Sequence, residues 1–495
     1  MPAGAKGWFF LALAATLAFR AWLAALAPVT ADEAYFILWG KVPALGYYDH
    51  PPMVGWLLAP LLAFSDAPWL LRLPAVVVPA LLALGVRATL LAWFGRDEAR
   101  ASLAGLAVLL VPMNVWNVLV TTDTPLMLFT VASMLAFVRG VQTDSKGWFL
   151  GAGVLLGLAF LSKYFAVLLG LSFLVWTFLE RKPKAFLLVF AGALPFGLLN
   201  LYWNYEACWC NVMFNAVNRH DDAGLSWTTP LLYAAALAYL AAPLLWCAWR
   251  ERARVVWPAD PARRALVFAW LVPFLIFAAL SPVKRIGLHW LLSFLPALAL
   301  SVALAVDVRR LAFAVRLFAA FAVLHVSALL IAAALPPDTW KQTRLYPRLV
   351  FPGRVEELLA VTAPHLQGAA LAADSYAAAA LLAYHARRPV PVFGVGTSHA
   401  RHDDIATDWR SLAGKDLVIL RREPPGPGDY RPFFREIEVK QLALGGGSYH
   451  AVLGRGFDYE AYRSNVLAQI RERYYRIPGW LPAGRCYFFE RYFPA

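Results

Sequence analysis

From residue 8 to residue 335 the chain alternates long apolar runs with short polar breaks. Runs of about 15 to 24 residues, enough to cross or nearly cross the hydrocarbon layer of a bilayer, cover 8–26, 69–94, 101–119, 124–138, 148–162, 164–179, 185–203, 229–249, 265–281, 288–305 and 311–335. A polytopic α-helical membrane protein with about eleven spanning helices, within a range of about 9 to 13, is expected. The first run follows MPAGAK and resembles a signal peptide in outline. It is long enough to span, however, and no A-x-A site clearly ends it, so it reads as a retained helix with Lys6 in the cytoplasm.

Beyond Pro336 the pattern changes: Pro, Gly, Arg and Asp rise, and apolar runs shrink to strand or short-helix size. AALAADS (369–375), YAAAALLAYHARR (376–388), VPVFGVG (390–396) and DLVILRR (416–422) follow one another as strand, helix, strand, strand, the signature of a small α/β domain. The glycines 445–447 lie between strand-like runs and read as a hairpin turn. The expected organisation is a membrane domain over 1–336, with an outer loop at 28–68, and an extracytoplasmic domain over 337–495.

Composition agrees with the pattern. Of 495 residues, 60% are hydrophobic and 15% charged, 20 are Trp, and the mean hydropathy is +0.57, far too apolar for a soluble protein of this length. A net charge of +14 would suggest nucleic-acid binding in a soluble chain. Here the bases gather in RDEAR (96–100), RGVQTDSK (139–146), ERKPK (180–184), RERARVVWPADPARR (250–264) and DVRR (307–310), which alternation from Lys6 places on one side. By the positive-inside rule that side is cytoplasmic, and the bases face anionic membrane lipid rather than nucleic acid. Cys208, Cys210, Cys247 and Cys486 are too few and scattered for a disulfide framework or a zinc knuckle, and any pairing among them stays open.

The opposite, outer face receives residues 28–68, the TTDT turn at 121–124, the 204–228 loop, the VKRIG turn at 283–287 and the C-terminal domain. Every unusual polar group falls there. ADEAY puts Asp32 and Glu33 just beyond the first helix, where acids are costly unless paired or used, although acids also favour helix N-termini. In GYYDHPPMVGW, Pro51 and Pro52 stop any helix beside Tyr47, Tyr48, Asp49 and His50; a surface turn with interfacial tyrosines gives the same pattern. Asp123 in TTDTPLM either caps the next helix or joins a shared acidic site. Lys163, Lys284, Arg285 and His289 are bases that run against the charge bias, as expected if they meet an anionic group such as a lipid phosphate. NRHDDAG (218–224) and SHARHDD (398–404) read as solvated loops. No glycine-rich nucleotide loop is present, which suits a lipid-linked donor better than a nucleotide sugar.

ADEAY, YYDHPP with LRLPAV (71–76) after it, TTDTPLM, LSKYF (161–165) and the HW-containing segment ending in LP together resemble glycosyltransferase family 39 of the GT-C superfamily. The resemblance, which includes protein O-mannosyltransferases and the bacterial aminoarabinose transferases of lipid A, implies transfer of a sugar from a polyprenyl phosphate to lipid A, another glycan or protein on the outer face of the bacterial inner membrane. It implies Asp32 as the catalytic carboxylate, with Glu33 beside it and Asp123 as a second acid. It places His50 at the donor phosphate, where the charge bias already points Lys163, Lys284, Arg285 and His289, and Tyr47, Tyr48 and Asp49 are expected in the substrate pocket. His50 stands where the aminoarabinose transferases carry lysine, and histidine, unlike lysine, titrates near neutrality. No metal is inferred, since one acid and a remote histidine are too few ligands. A transporter or flippase is the rival of another class, but the acids gather at one face and no repeat is evident; a catalytically dead relative is disfavoured by the presence of Asp32, Asp123 and Lys284.

Overall fold

The computed structural model describes residues 4–218, 224–340, 343, 351–426, 428–444 and 447–494. Its residues separate into two compact units. The first contains 1–27, 61–199 and 223–334; the second contains 28–60, 200–222 and 335–495. The second unit is therefore assembled from three stretches, drawing in the 28–60 loop and the end of the helix Pro183–Glu206 as well as the C-terminal region.

Among the described residues of the whole chain, eight helices are long and apolar enough to cross a membrane: Ala5–Leu26, Pro68–Ala92, Asp123–Thr143, Pro183–Glu206, Thr228–Arg250, Pro261–Leu280, Leu288–Ala305 and Val308–Ala334. Lys146–Ser162 and Tyr164–Leu179 are apolar but shorter. The run expected at 101–119 is broken into Glu98–Leu109 and Pro112–Trp116. Pro112 has no N–H to continue the first helix, so it opens a new one at its first turn. Eight long spans with these shorter pieces match the expected class, and the figure of eleven is not reproduced as such.

Helix breaks inside a bilayer leave carbonyls that water cannot reach, and an unpaired one is costly. Arginines serve them in the first unit, Arg20 and Arg72 buried and Arg100 half-buried. Arg20, 1% exposed, donates to the carbonyls of Ala75 (2.5 Å), Val76 (3.2 Å), Asn114 (2.5 Å) and Asn117 (2.8 Å). Arg72 donates to Ala24 (2.8 Å) and Ala27 (2.7 Å) at the end of the first helix. Arg100 donates to Ala303 (2.6 Å) and Val306 (2.5 Å), where Leu295–Ala305 ends.

The second unit is mixed α/β. Four strands, β1 (Ala369–Ala373), β2 (Asp416–Arg421), β3 (Phe434–Leu444) and β4 (Gly447–Phe457), form a sheet in the order β1-β2-β4-β3. β1 and β2 are parallel, joined through the helix Tyr376–Ala386, and the other pairs are antiparallel. β3 and β4 pair from Phe434 with Phe457 to Leu444 with Gly447, as a hairpin there requires; residues 445 and 446 lie outside the described set. VPVFGVG is corrected: it forms no strand, only a lone bridge between Ala373 and Val392, because Pro391 offers no N–H and Gly394 and Gly396 take positive φ. Cys208 and Cys486 form a disulfide across 278 residues, while Cys210 and Cys247 are free and buried.

Arg20→Leu removes the shared donor of four carbonyls at a cost of about 1–3 kcal/mol for each group left unsatisfied. The purified variant is expected to melt well below wild type in detergent, and an unchanged midpoint would show that those carbonyls find other donors.

Candidate active site

The predicted site residues divide between the two units: Asp123, Lys163, Lys284, Arg285 and His289 in the first, and Asp32, Glu33, Tyr47, Tyr48, Asp49 and His50 in the second.

In the first unit, Asp123 is the first residue of Asp123–Thr143, where the helix N-terminus favours a negative charge. Lys163 ends the helix Lys146–Ser162, where a positive charge is favoured. The two meet in a bidentate ion pair, with Lys163 Nζ at 2.8 Å and 3.0 Å from the carboxylate oxygens of Asp123. Both side chains are almost wholly buried, so each depends on the other for charge compensation. His289 Nε2 stands 3.7 Å from the same carboxylate. The acid of the TTDT turn, the lysine of LSKYF and the histidine of the HW segment thus form one cluster. Lys284 is half-buried and Arg285 exposed in the turn before the Leu288–Phe294 segment.

In the second unit the two adjacent acids part company. Thr30 caps the helix Ala31–Lys41 in a reciprocal capping box: the Glu33 N–H donates to the Thr30 hydroxyl (3.3 Å), and the Glu33 carboxylate accepts from the Thr30 N–H (3.0 Å). Glu33 is buried in this role. Asp32 is exposed and accepts a hydrogen bond from the Tyr376 hydroxyl at 3.2 Å.

GYYDHPPMVGW is a braced turn. The Tyr47 N–H donates to the His50 carbonyl (3.0 Å), and the Tyr47 ring stacks on Trp39 at 4.3 Å while its hydroxyl donates to the Trp39 carbonyl (2.9 Å). Gly55 gives the Tyr47 hydroxyl room, since a Cβ there would lie 2.2 Å from it. Asn211 donates to the carbonyls of Tyr47 and Tyr48, and Tyr48 is fully buried. Asp49 is buried, 3.8 Å from His50 Nε2, and accepts from the Tyr35 hydroxyl at 3.1 Å.

Tyr35 also accepts from the His402 N–H at 3.1 Å, tying this turn to the 401–404 segment. Burial, and then the Asp49 carboxylate, push the Tyr35 hydroxyl well above its ordinary pKa, so it stays a donor. The reading of SHARHDD as a solvated loop is corrected here. Arg401 and Asp404 are buried in a two-point ion pair (2.8 Å and 3.0 Å), with the guanidinium 4.3 Å from the Tyr474 ring centre. His402 is half-buried, packed edge-on against Tyr47 and Trp39, and enclosure by protein lowers its imidazole to about 4. Of NRHDDAG, residues 219–223 lie outside the described set. Among the described residues, no group of three or more His, Cys, Asp or Glu side chains could hold a metal ion.

Residues 49–203 match the family described as dolichyl-phosphate-mannose-protein mannosyltransferase. That stretch includes Asp49, His50, Asp123 and Lys163, but not Asp32 or the 284–289 bases. The structure of ArnT from Cupriavidus metallidurans bound to undecaprenyl phosphate superposes with a TM-score of 0.63, covering 90% of this chain and 98% of that one at 17% identity. The fold is that of the GT-C glycosyltransferases. The apo form of the same GT-C protein gives a TM-score of 0.61. Lipid A galacturonosyltransferase RgtD of Rhizobium johnstonii is 24% identical over 268 residues, and the match takes in 52% of this chain and 56% of that protein. The chain thus aligns with little more than half the length of this curated relative.

Tyr35, Tyr376, His402 and Arg401 were not among the expected site residues. Tyr35 had one sequence signal, its place three residues after Asp32 on a helix; Tyr376 lies far along the chain and had none.

Because the folded state holds His402 neutral and the unfolded chain titrates near 6.5, stability is complete above about 6.5 and is lost as pH falls towards about 4. His402→Phe keeps the ring packing, and its melting temperature is expected to fall less than wild type between pH 6.5 and 4. Parallel curves would show that His402 is not the titrating group.

Proposed function

We propose that the protein is an integral membrane glycosyltransferase that moves a sugar from a polyprenyl phosphate to an envelope acceptor of the lipid A type. The reaction takes place on the periplasmic face of the inner membrane, where the C-terminal domain also lies. The observation that carries this reading is the separation of roles at 32 and 33: Glu33 is consumed by the helix cap, whereas Asp32 is exposed, held at a fixed helix start and hydrogen-bonded only at its edge by Tyr376. The fold it occurs in is shared with a protein crystallised with undecaprenyl phosphate, and a curated relative is named as acting on lipid A.

In the proposed reaction an acceptor oxygen attacks the anomeric carbon as the bond from that carbon to the phosphate oxygen breaks, with inversion. Asp32 orients the acceptor hydroxyl and takes its proton. The departing polyprenyl monophosphate keeps the bond electrons as added negative charge, which cationic side chains stabilise. Lys163 is one of these, aimed and charge-balanced by Asp123, so Asp123 acts by positioning Lys163 and His289 rather than as a second base. Lys284, Arg285 and His50 are further phosphate partners, and Tyr47, Tyr48 and Asp49 hold the shape of the turn that carries His50. A protein acceptor is the second reading, favoured by the mannosyltransferase family match over residues 49–203.

The test uses purified full-length protein with undecaprenyl phosphate-linked sugars and, in separate arms, lipid A and peptide acceptors. Asp32→Asn is expected to slow transfer by about 10² to 10⁴-fold, the usual general-base contribution. Glu33→Gln preserves a capping residue at its position and is expected to retain most of the rate. Equal losses in the two variants would refute the assignment of Asp32, and lipid movement across vesicles without sugar transfer would replace the transferase by a transporter.

A further inference from the structure

Between the helices Ala468–Tyr474 and Tyr487–Tyr492 the chain runs through RIPGWLPAGR (476–485), an uncharged stretch bounded by Arg476 and Arg485. A tight turn closes its tip, where the Leu481 N–H donates to the Pro478 carbonyl at 3.0 Å. Trp480 sits at the third position of that turn and is 67% exposed. A single exposed aromatic side chain is ordinary on a soluble domain. The place of this one is not, because the loop is fastened to the end of a membrane-spanning helix.

That helix is Pro183–Glu206, and several contacts hold residues 482–486 against its last turn and the residues just after it. Cys486 is joined to Cys208 by the disulfide, and the Cys208 N–H donates to the Arg485 carbonyl at 3.0 Å. The Trp209 indole N–H donates to the Pro482 carbonyl at 2.9 Å. Gly484 lies so close to the helix that a Cβ on it would stand 2.3 Å from the Tyr205 carbonyl oxygen. Two residues of chain reach about 7 Å at most, so Trp480 stays near Pro482 and hence near the level at which the helix leaves the bilayer. Tyr202 and Tyr205, 58% and 40% exposed on the final turns of the same helix, mark that level, since tyrosine and tryptophan gather where hydrocarbon meets headgroups.

Charge points the same way. The acids around the loop are paired with arginines: Glu206 and Glu490 with Arg485 (3.5 Å and 3.2 Å), and Glu472 with Arg471 (2.8 Å). Arg473 and Arg476, both exposed, are surplus positive charge on the approach to the turn. An apolar tip with cations behind it is the composition of a segment that lies in the interface of an anionic membrane.

We propose that the turn 478–481 is a membrane anchor, with the Trp480 indole in the interfacial layer of the bilayer and Arg473 and Arg476 on the phosphates of anionic phospholipid. It sets the depth of the C-terminal region at the bilayer surface, and it does so whether or not a sugar is being transferred.

The test places a fluorescent label on Gly479→Cys in the full-length protein, one chain per nanodisc. A Cβ at Gly479 meets open space, and the free thiols Cys210 and Cys247 are buried, so the label goes to the turn. A lipid carrying a doxyl quencher near the headgroup end of one acyl chain is expected to quench the label strongly, and aqueous iodide weakly. The reverse pattern overturns the proposal, and so does shielding from both quenchers, which would mean that protein covers the turn. Adding Trp480→Ser is expected to move quenching from the lipid to iodide; unchanged quenching would overturn the role of the indole. Adding Arg476→Gln instead is expected to lower the ratio of inserted to withdrawn turn about fivefold in discs that contain phosphatidylglycerol, and to leave it unchanged in phosphatidylcholine alone. An equal effect in the two lipids overturns the part assigned to anionic headgroups.

Discussion

A backbone carbonyl inside a bilayer must find a donor within the protein, and the rest of the membrane unit follows from that constraint. A chain made only of long uninterrupted helices would meet it trivially, but such a chain offers few places to hold polar side chains at the membrane boundary. Here the helices break, at Ala27, at Trp116 and at Ala305, and guanidiniums, buried at Arg20 and Arg72 and half-buried at Arg100, cover the exposed carbonyls. Arginine suits the task because its planar group presents five donors and keeps its charge. Arg20 alone ties the first helix to the start of Leu73–Ala92 and to the end of Pro112–Trp116.

The same logic of compensation sorts the acids. Buried Asp123 is tolerated because Lys163 grips both its oxygens, and the pair stands where one helix begins and another ends. Buried Glu33 is tolerated because it accepts from the Thr30 backbone and hydroxyl. Buried Asp49 accepts from Tyr35. Asp32 is the carboxylate of the first loop that remains exposed, with its tyrosine partner supplied from far along the chain. A residue's chemistry in this protein is thus set less by its type than by which of its oxygens are already engaged.

Much of the membrane fold was legible because hydrophobic length is a one-dimensional signal, and the α/β character beyond Pro336 was legible from the shortening of that signal. The break at Pro112 blurred one span because the flanking residues stay apolar. The acids at 32, 123 and 49 stood out by contrast with their surroundings. The 401–404 segment did not, since Arg, His and two Asp in a row carry the composition of a solvated loop, and it takes the Arg401–Asp404 pairing to let those two residues be buried. The capping box at 30–33 was present in the letters T-A-D-E; its local pattern was outweighed by the interest of two adjacent acids. The Cys208–Cys486 pairing had no local trace, because its partners are joined only by the folded second unit.

That disulfide sets an order of events during biosynthesis. Four of the long apolar helices, Thr228–Arg250 through Val308–Ala334, are made after Cys208 and before Cys486. The thiol at 208, two residues from Cys210, therefore has its partner made only after those four helices. The bond can close only after residues 209–485 have been synthesised, and only where both thiols meet an oxidising environment.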